Sequence, residues 1–141
     1  MQKEKVRFKK EKETMFITLY GKAMESQSKD PIIHDITAEE TIRRIDYDFT
    51  NFKMSKFQMR SLGARAKVFD DWTKEYLAKN PEANVVYLGC GLDSRVFRID
   101  PPASVEWFDV DFPETIELRE SLFLKRAKYH DRVISDRKSM A

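Results

Sequence analysis

Val85-Val86-Tyr87-Leu88-Gly89-Cys90-Gly91-Leu92-Asp93-Ser94-Arg95 is the stretch that decides how this chain folds. Val85 to Leu88 are apolar, with β-branched and aromatic members, and predict a strand buried on both faces. Gly89 and Gly91 bracket a small residue, where the backbone must turn sharply and a ligand can approach it closely. A second strand-like run, Val105 to Val110, follows, and Asp111 stands at its end, 20 positions after Gly91. Strand, glycine turn, helix, strand and carboxylate is the layout of a nucleotide-type site, with the carboxylate serving ribose hydroxyls. The third glycine of a pyrophosphate-gripping loop is missing, because Ser94 and Arg95 occupy that region. The departure points away from a dinucleotide and toward an adenosine ligand without phosphates, of which S-adenosyl-L-methionine is the obvious candidate.

Two longer stretches carry a resemblance. They are Leu88-Gly89-Cys90-Gly91-Leu92-Asp93-Ser94-Arg95 and Val105-Glu106-Trp107-Phe108-Asp109-Val110-Asp111-Phe112-Pro113-Glu114. Together they resemble the leucine carboxyl methyltransferase family, whose members show a Leu-Gly-Ala-Gly-Leu-Asp-Thr-Arg type of turn and a Val-Asp-(apolar)-Pro motif. Glu13-Thr14 to Leu19-Tyr20, Lys29-Asp30-Pro31-Ile32 and Ile45-Asp46-Tyr47-Asp48-Phe49 are similar to the branch typified by the tetracenomycin polyketide O-methyltransferase. Cys90 stands where alanine is usual, a small-for-small exchange. The resemblance covers nearly the whole chain but only about the first half of a family member.

It implies an α/β fold: an incomplete Rossmann-like class I methyltransferase sheet, with its first two to three parallel strands and N-terminal helices. Residues 1–58 would form a helical cap, and residues 59–141 the N-terminal half of the S-adenosylmethionine-binding domain. The implied strand order is third, second, first, which leaves one edge of Val85–Leu88 unpaired and open to self-association.

Composition agrees with a soluble, well-solvated chain long enough for one domain with a real core. The chain has 141 residues, 35% of them charged, a net charge of +2 and a mean hydropathy of −0.62. That basic excess is too small for a nucleic-acid footprint, and no apolar run approaches the ~18 residues of a membrane span. No secretory signal is evident at the N-terminus, and a single cysteine cannot form an internal disulfide, so a cytoplasmic location is expected.

Helical periodicity marks Met15 to Met24, with Asp30-Pro31 behind it. Thr37 and Glu40 have capping-box spacing for a second helix carrying Ile42 and Ile45. Residues 1–13 read as a frayed arm or helix extension, and 46–58 as a loop. A long helix from about Gln58 to Lys79 carries Leu62, Phe69, Trp72 and Tyr76 on one face, and Asn80-Pro81 stops it. Arg65 points into that stripe. By its position it either snorkels to water or grips an anion; the resemblance assigns it to the carboxylate of the cofactor's methionine moiety. Short helices are expected over Leu92–Ile99 and from Pro113, and a third strand over Arg132 to Ser135.

The expected cofactor-binding set is Arg65, Gly89, Cys90, Gly91 and Asp111. Asp109, two residues back on the same strand face, is the rival for the ribose, with a structural role assigned to it instead. Asp93 and Arg95 are expected to pair and hold the turn, and Lys22 to be solvated. His34 and His130 lack partners at metal-ligand spacing, so no metal site is expected. No catalytic base stands out. Phe8, Phe49, Phe52 and Phe57 fit an acceptor pocket or the core equally well. The reading is an S-adenosylmethionine-dependent O-methyltransferase acting on a small-molecule, polyketide-like hydroxyl or on a carboxylate. Its rivals are a non-catalytic remnant or interaction module, and an NAD-dependent oxidoreductase.

Overall fold

A computed structural model describes residues 4–5, 13–123 and 129–133. After a two-residue strand β1 (Glu4–Lys5), helix α1 (Glu13–Ser26) buries Phe16, Leu19 and Ala23, the spacing of one helical face. Helix α2 (Ile36–Arg44) leads directly into β2 (Ile45–Asp46), which pairs in parallel with β1. Part of the arm expected to fray is therefore tied to the fold. A 3-10 turn, Phe49–Asn51, lies within the stretch expected as loop. Its Phe49 joins Phe16, Tyr20, Tyr47 and Phe52 in a ring cluster with centroids 4.9–6.4 Å apart. Phe49 is thus a core residue, whereas Phe57 is 79% exposed; Phe8 lies outside the described residues.

The expected Thr37–Glu40 capping box does not form. Asp35 caps α2 instead, its carboxylate accepting from Ala38 N at 3.0 Å. Asp35 is fixed from elsewhere, by the Ser94 hydroxyl at 2.5 Å and by Arg98 at 2.8 Å, so tertiary contacts select the cap. A reciprocal capping box does open α3 (Lys56–Lys79), formed by Ser55 and Gln58. The boundary expected at 58/59 falls in the first turn of this helix.

Three parallel strands, β3 (Asn84–Leu88), β4 (Glu106–Asp111) and β5 (Tyr129–Val133), form a sheet in the order β5-β4-β3. The third strand begins three residues earlier than expected, and the expected residues 134 and 135 lie outside the described ones. Helix α4 (Arg95–Ile99) is shorter than the expected Leu92–Ile99, and Asp100 ends it at φ 48°. Helix α5 (Pro113–Leu122) follows β4 with its proline in the first turn.

Helices α3 and α4 contribute Leu77, Val96 and Ile99 to a core over Val105 and Trp107, while Arg119 of α5 reaches Asp109 and Asp131 on that same sheet face. The opposite face is open: Val86 is 58% and Leu88 71% exposed. β3 is therefore not buried on both faces, because the described helices lie on one side of the sheet. The aromatic stripe of α3 also differs from expectation. Phe69, Trp72 and Tyr76 are 40%, 62% and 60% exposed, and the buried stripe is Gly63, Ala66, Asp70 and Leu77. Small residues are needed there; a Cβ on Gly63 would stand 2.8 Å from the Glu25 carboxylate.

Trp107 is 1% exposed at the centre of this core, so Trp107→Ala should lower unfolding free energy by about 3–5 kcal/mol. Val86→Ala, on the open face, should cost about 0.5 kcal/mol or less. Urea unfolding of the two variants checks the order.

Candidate functional site

The glycine turn is built from both ends. Gly89 N and Cys90 N donate to Val110 O at 2.8 and 3.3 Å, which locks the turn to the end of β4. Gly89 (φ 65°) and Gly91 (φ 55°) are both left-handed, where a side chain would strain the backbone. Gly91 N donates to Asp111 Oδ2 at 2.8 Å, and Phe112 N donates to Asp111 Oδ1 at 2.7 Å. Beneath the turn, the Arg119 guanidinium donates to the carbonyls of Gly91 and Asp93, both at 2.8 Å. Its other three N–H groups reach Asp109, Tyr129 and Asp131, so all five donors have acceptors.

Above the turn lies a cavity of about 670 Å³, at the C-terminal ends of β3 and β4 and walled by α1 and α3. This is where ligands bind in open parallel sheets. Arg65, Gly89, Cys90, Gly91 and Asp111 all line it. A Cβ on Gly89 would meet no described atom within 4 Å, so the floor beside Asp111 is open. Arg65 is exposed at the wall and has no ion-pair partner among the described residues.

Asp109 does not line the cavity. It is 1% exposed, accepts from Trp107 Nε1 at 2.8 Å and pairs with Arg119 at 2.5 Å, as a structural group. Burial pushes the Cys90 thiol up to about 12, against the opposing pull of Arg119, so Cys90 is a packing residue and not a nucleophile. His34 and His130 stand away from the cavity, and no group of three metal-ligating side chains occurs among the described residues.

Lys22 departs from expectation. It is only 7% exposed and pairs with Asp93 at 2.8 Å on the cavity wall. Spacing along α1 could not show this, because Asp93 is 71 positions away. The expected Asp93–Arg95 pair is present at 3.4 Å, within a larger cluster. Asp93 also takes Arg98 at 2.8 Å and the Tyr87 hydroxyl at 2.7 Å. Burial alone would raise the Asp93 carboxyl, but Lys22, Arg98 and Arg95 outweigh it and hold the carboxyl well below its ordinary range. Arg95 lies over the Tyr87 ring at 4.3 Å and the Phe69 ring at 5.4 Å, which places one aromatic of the exposed α3 stripe in the wall.

A family model described as leucine carboxyl methyltransferase matches residues 15–134. The chain belongs to this family. Among curated family relatives, it is 46% identical to the tetracenomycin polyketide synthesis O-methyltransferase of Streptomyces glaucescens, over 83% of this chain and 43% of the relative. It is 30% identical to an S-adenosyl-L-methionine-dependent methyltransferase of Gibberella zeae, over 86% and 44%. A putative S-adenosyl-L-methionine-dependent methyltransferase of Mycobacterium tuberculosis is 28% identical, over 91% and 42%. The chain spans less than half the length of these curated relatives.

The glycine turn is held by charges with a defined acid response. The folded-state carboxyl of Asp93 is depressed, so its stabilising contribution is complete above its unfolded value, near 3.9, and is lost as pH falls below that. Thermal melts between pH 5 and 2.5 should show parent stability falling more steeply than that of Asp93→Asn. Equal slopes would mean that Asp93 does not carry this charge in the folded state.

Proposed function

We propose that the cavity binds S-adenosyl-L-methionine and that the chain supplies the cofactor half of an O-methyltransferase. The observation that carries this is the open floor over Gly89 beside the Asp111 carboxylate, at the carboxyl ends of two parallel strands. Each Asp111 oxygen accepts one backbone N–H and keeps capacity for another donor, which suits the two hydroxyls of a ribose. Arg65, exposed on the wall without an ion-pair partner among the described residues, suits the methionine carboxylate. Gly89, Cys90 and Gly91 give the ligand a floor without projecting side chains beyond a thiol. In this reading residues 1–58 cap the cofactor and residues 59–141 seat it.

When bound, the cofactor supplies a methyl carbon activated by positive sulfur: the acceptor oxygen forms the new C–O bond as the S–C bond breaks, and that bond's electron pair stays on sulfur. The protein's work is to hold the acceptor in line with that carbon. Among the described residues the cavity holds no histidine, and Asp93 is committed to its cations. An acceptor oxygen that is already ionised fits such a wall better than one needing a base. The acceptor class we infer is a small molecule bearing a hydroxyl or carboxylate; the named relative acts in tetracenomycin polyketide synthesis. No described helix is long and apolar enough to cross a membrane. The cytoplasmic location we propose rests instead on cysteine usage, since Cys90 has no second thiol to pair with in the chain.

The open face of β3, together with its edge, which is unpaired among the described residues, supports a second reading, in which the chain self-associates and turns over slowly by itself. Parallel sheets are ordinarily covered on both faces and continued at apolar edges, whereas Val86 and Leu88 are exposed. Sedimentation over a concentration series should show dimers or larger species; a monomer throughout would remove this reading.

Asp111→Ala should weaken S-adenosylhomocysteine binding by about 1.5–3 kcal/mol in calorimetry, the range for hydrogen bonds to a charged acceptor. Asp109→Ala should instead lower stability, by about 3–5 kcal/mol, because Arg119 loses its buried partner. The reverse pattern would transfer the ribose to Asp109. Arg65→Lys should lose affinity for S-adenosylhomocysteine as the bidentate fork disappears, with little change for methylthioadenosine, which lacks the carboxylate. Equal losses for both ligands would assign Arg65 to the fold.

A further inference from the structure

A second cavity, of about 690 Å³, opens between α1, the 3-10 turn and the start of α3. Its walls are apolar, from Ile17, Phe52, Met54 and Phe57. Leu62 and Arg65 line both this groove and the cavity over the glycine turn, so the two spaces adjoin across one turn of α3. On α1 the same holds: Met15 and Thr18 face the first cavity, and Ile17 lines the second. A methyl acceptor must bring its oxygen to about 3–3.5 Å from the methyl carbon, which requires a subsite continuous with the cofactor's.

Charge narrows the occupant. The groove is bordered by two cations, Lys53 and Arg65, and no carboxylate lines it among the described residues. Neither cation has an ion-pair partner among those residues, and both are exposed. Phe57, 79% exposed, lines the groove and is absent from the core clusters, while Phe52 packs against the core and also lines the groove. An aromatic wall with a cationic border fits a flat ring bearing a negative oxygen.

We infer that this groove is the acceptor subsite and that it selects planar aromatic anions, with Phe57 and Lys53 as specificity-determining residues. The inference rests on the cofactor reading of the adjoining cavity. Arg65 then stands at the junction, where it can face the anion of either ligand. An aromatic acid entering here arrives ionised and needs no proton removed, which suits a wall where, among the described residues, no histidine stands and Asp93 is held by its cations.

The test uses the 141-residue chain, with 2-naphthoate and its neutral isostere 2-naphthalenemethanol as probes in ligand-observed NMR titrations. Naphthoate should bind several-fold more tightly than the alcohol, and should do so with S-adenosylhomocysteine already bound. Phe57→Ala should weaken both probes, by roughly 2–10-fold, the worth of one aromatic contact. Lys53→Gln should weaken naphthoate alone, by roughly 2–5-fold, as expected for an exposed ion pair. Both positions are exposed and neither lines the cofactor cavity, so S-adenosylhomocysteine affinity should stay within about twofold, on the scale of surface substitutions. Equal affinity for the two probes, indifference of naphthoate to both variants, or displacement of naphthoate by S-adenosylhomocysteine would overturn the inference. Failure of S-adenosylhomocysteine to bind the parent chain, with the naphthoate pattern intact, would instead overturn the cofactor reading.

Discussion

One buried guanidinium holds the architecture together. Arg98 donates to Asp70 through Nε and Nη2, at 2.7 and 3.0 Å, and through Nη1 to Asp35 and Asp93, both at 2.8 Å. Those three carboxylates belong to α3, to the cap of α2 and to the glycine turn. A single side chain on the short helix α4 therefore fixes the cap helix α2 and the long helix α3 relative to the site. Burial of so much charge is unfavourable by itself, and it is tolerated because the count balances. Lys22, Arg95 and Arg98 face Asp35, Asp70 and Asp93, all with little exposure. Loss of one member would leave an uncompensated charge, worth about 3–5 kcal/mol, comparable with emptying a core site.

Two apolar cores accompany this ionic cluster. One joins α1, α2 and the aromatic turn to Leu92 and to Leu122 and Phe123 at the end of α5; the other joins α3, α4 and the sheet, with Phe97 packed against both. Apolar contact is not directional and would let the cap slide over the sheet by a fraction of a turn. Hydrogen-bonded ion pairs have fixed geometry, and they place α1 and α3 where they wall the cavity. Arg119 does the same one layer down, where it ties the turn to β4 and β5 through five donors. The cavity's shape is thus set by two arginines, neither of which is expected to touch a ligand.

Legibility in the sequence followed the range of each interaction. The strands and the glycine turn are readable because they depend on local patterns and on a fixed spacing between Gly91 and Asp111, whereas the strand order is what the family resemblance implies. The cap of α2 is not readable, because Thr37 and Asp35 are both acceptable locally and Ser94 and Arg98, about 60 residues away, decide between them. The burial of Lys22 is hidden from the sequence for the same reason, since its partner Asp93 is 71 positions away. The α3 stripe misled in a different way. Large aromatics suggested the inward face, yet the crossing with α1 needs Gly63 and Ala66, and close approach excluded the bulky face. The Ser55–Gln58 capping box is local, but the aromatic run before it resembles a loop and masks the helix start.

The chain's two tryptophans occupy opposite surroundings, and this gives the molecule a two-channel optical record of its own unfolding. Trp107 is enclosed in the sheet core with its indole N–H on Asp109, while Trp72 stands 62% exposed on α3. Emission at shorter wavelengths, shielded from a soluble quencher such as acrylamide, reports the sheet. Emission at longer wavelengths, open to the quencher, reports the outer surface of the helix whose inner turns wall the cavity. A loosening of α3 and a melting of the sheet therefore register as distinct spectral events in the unlabelled protein.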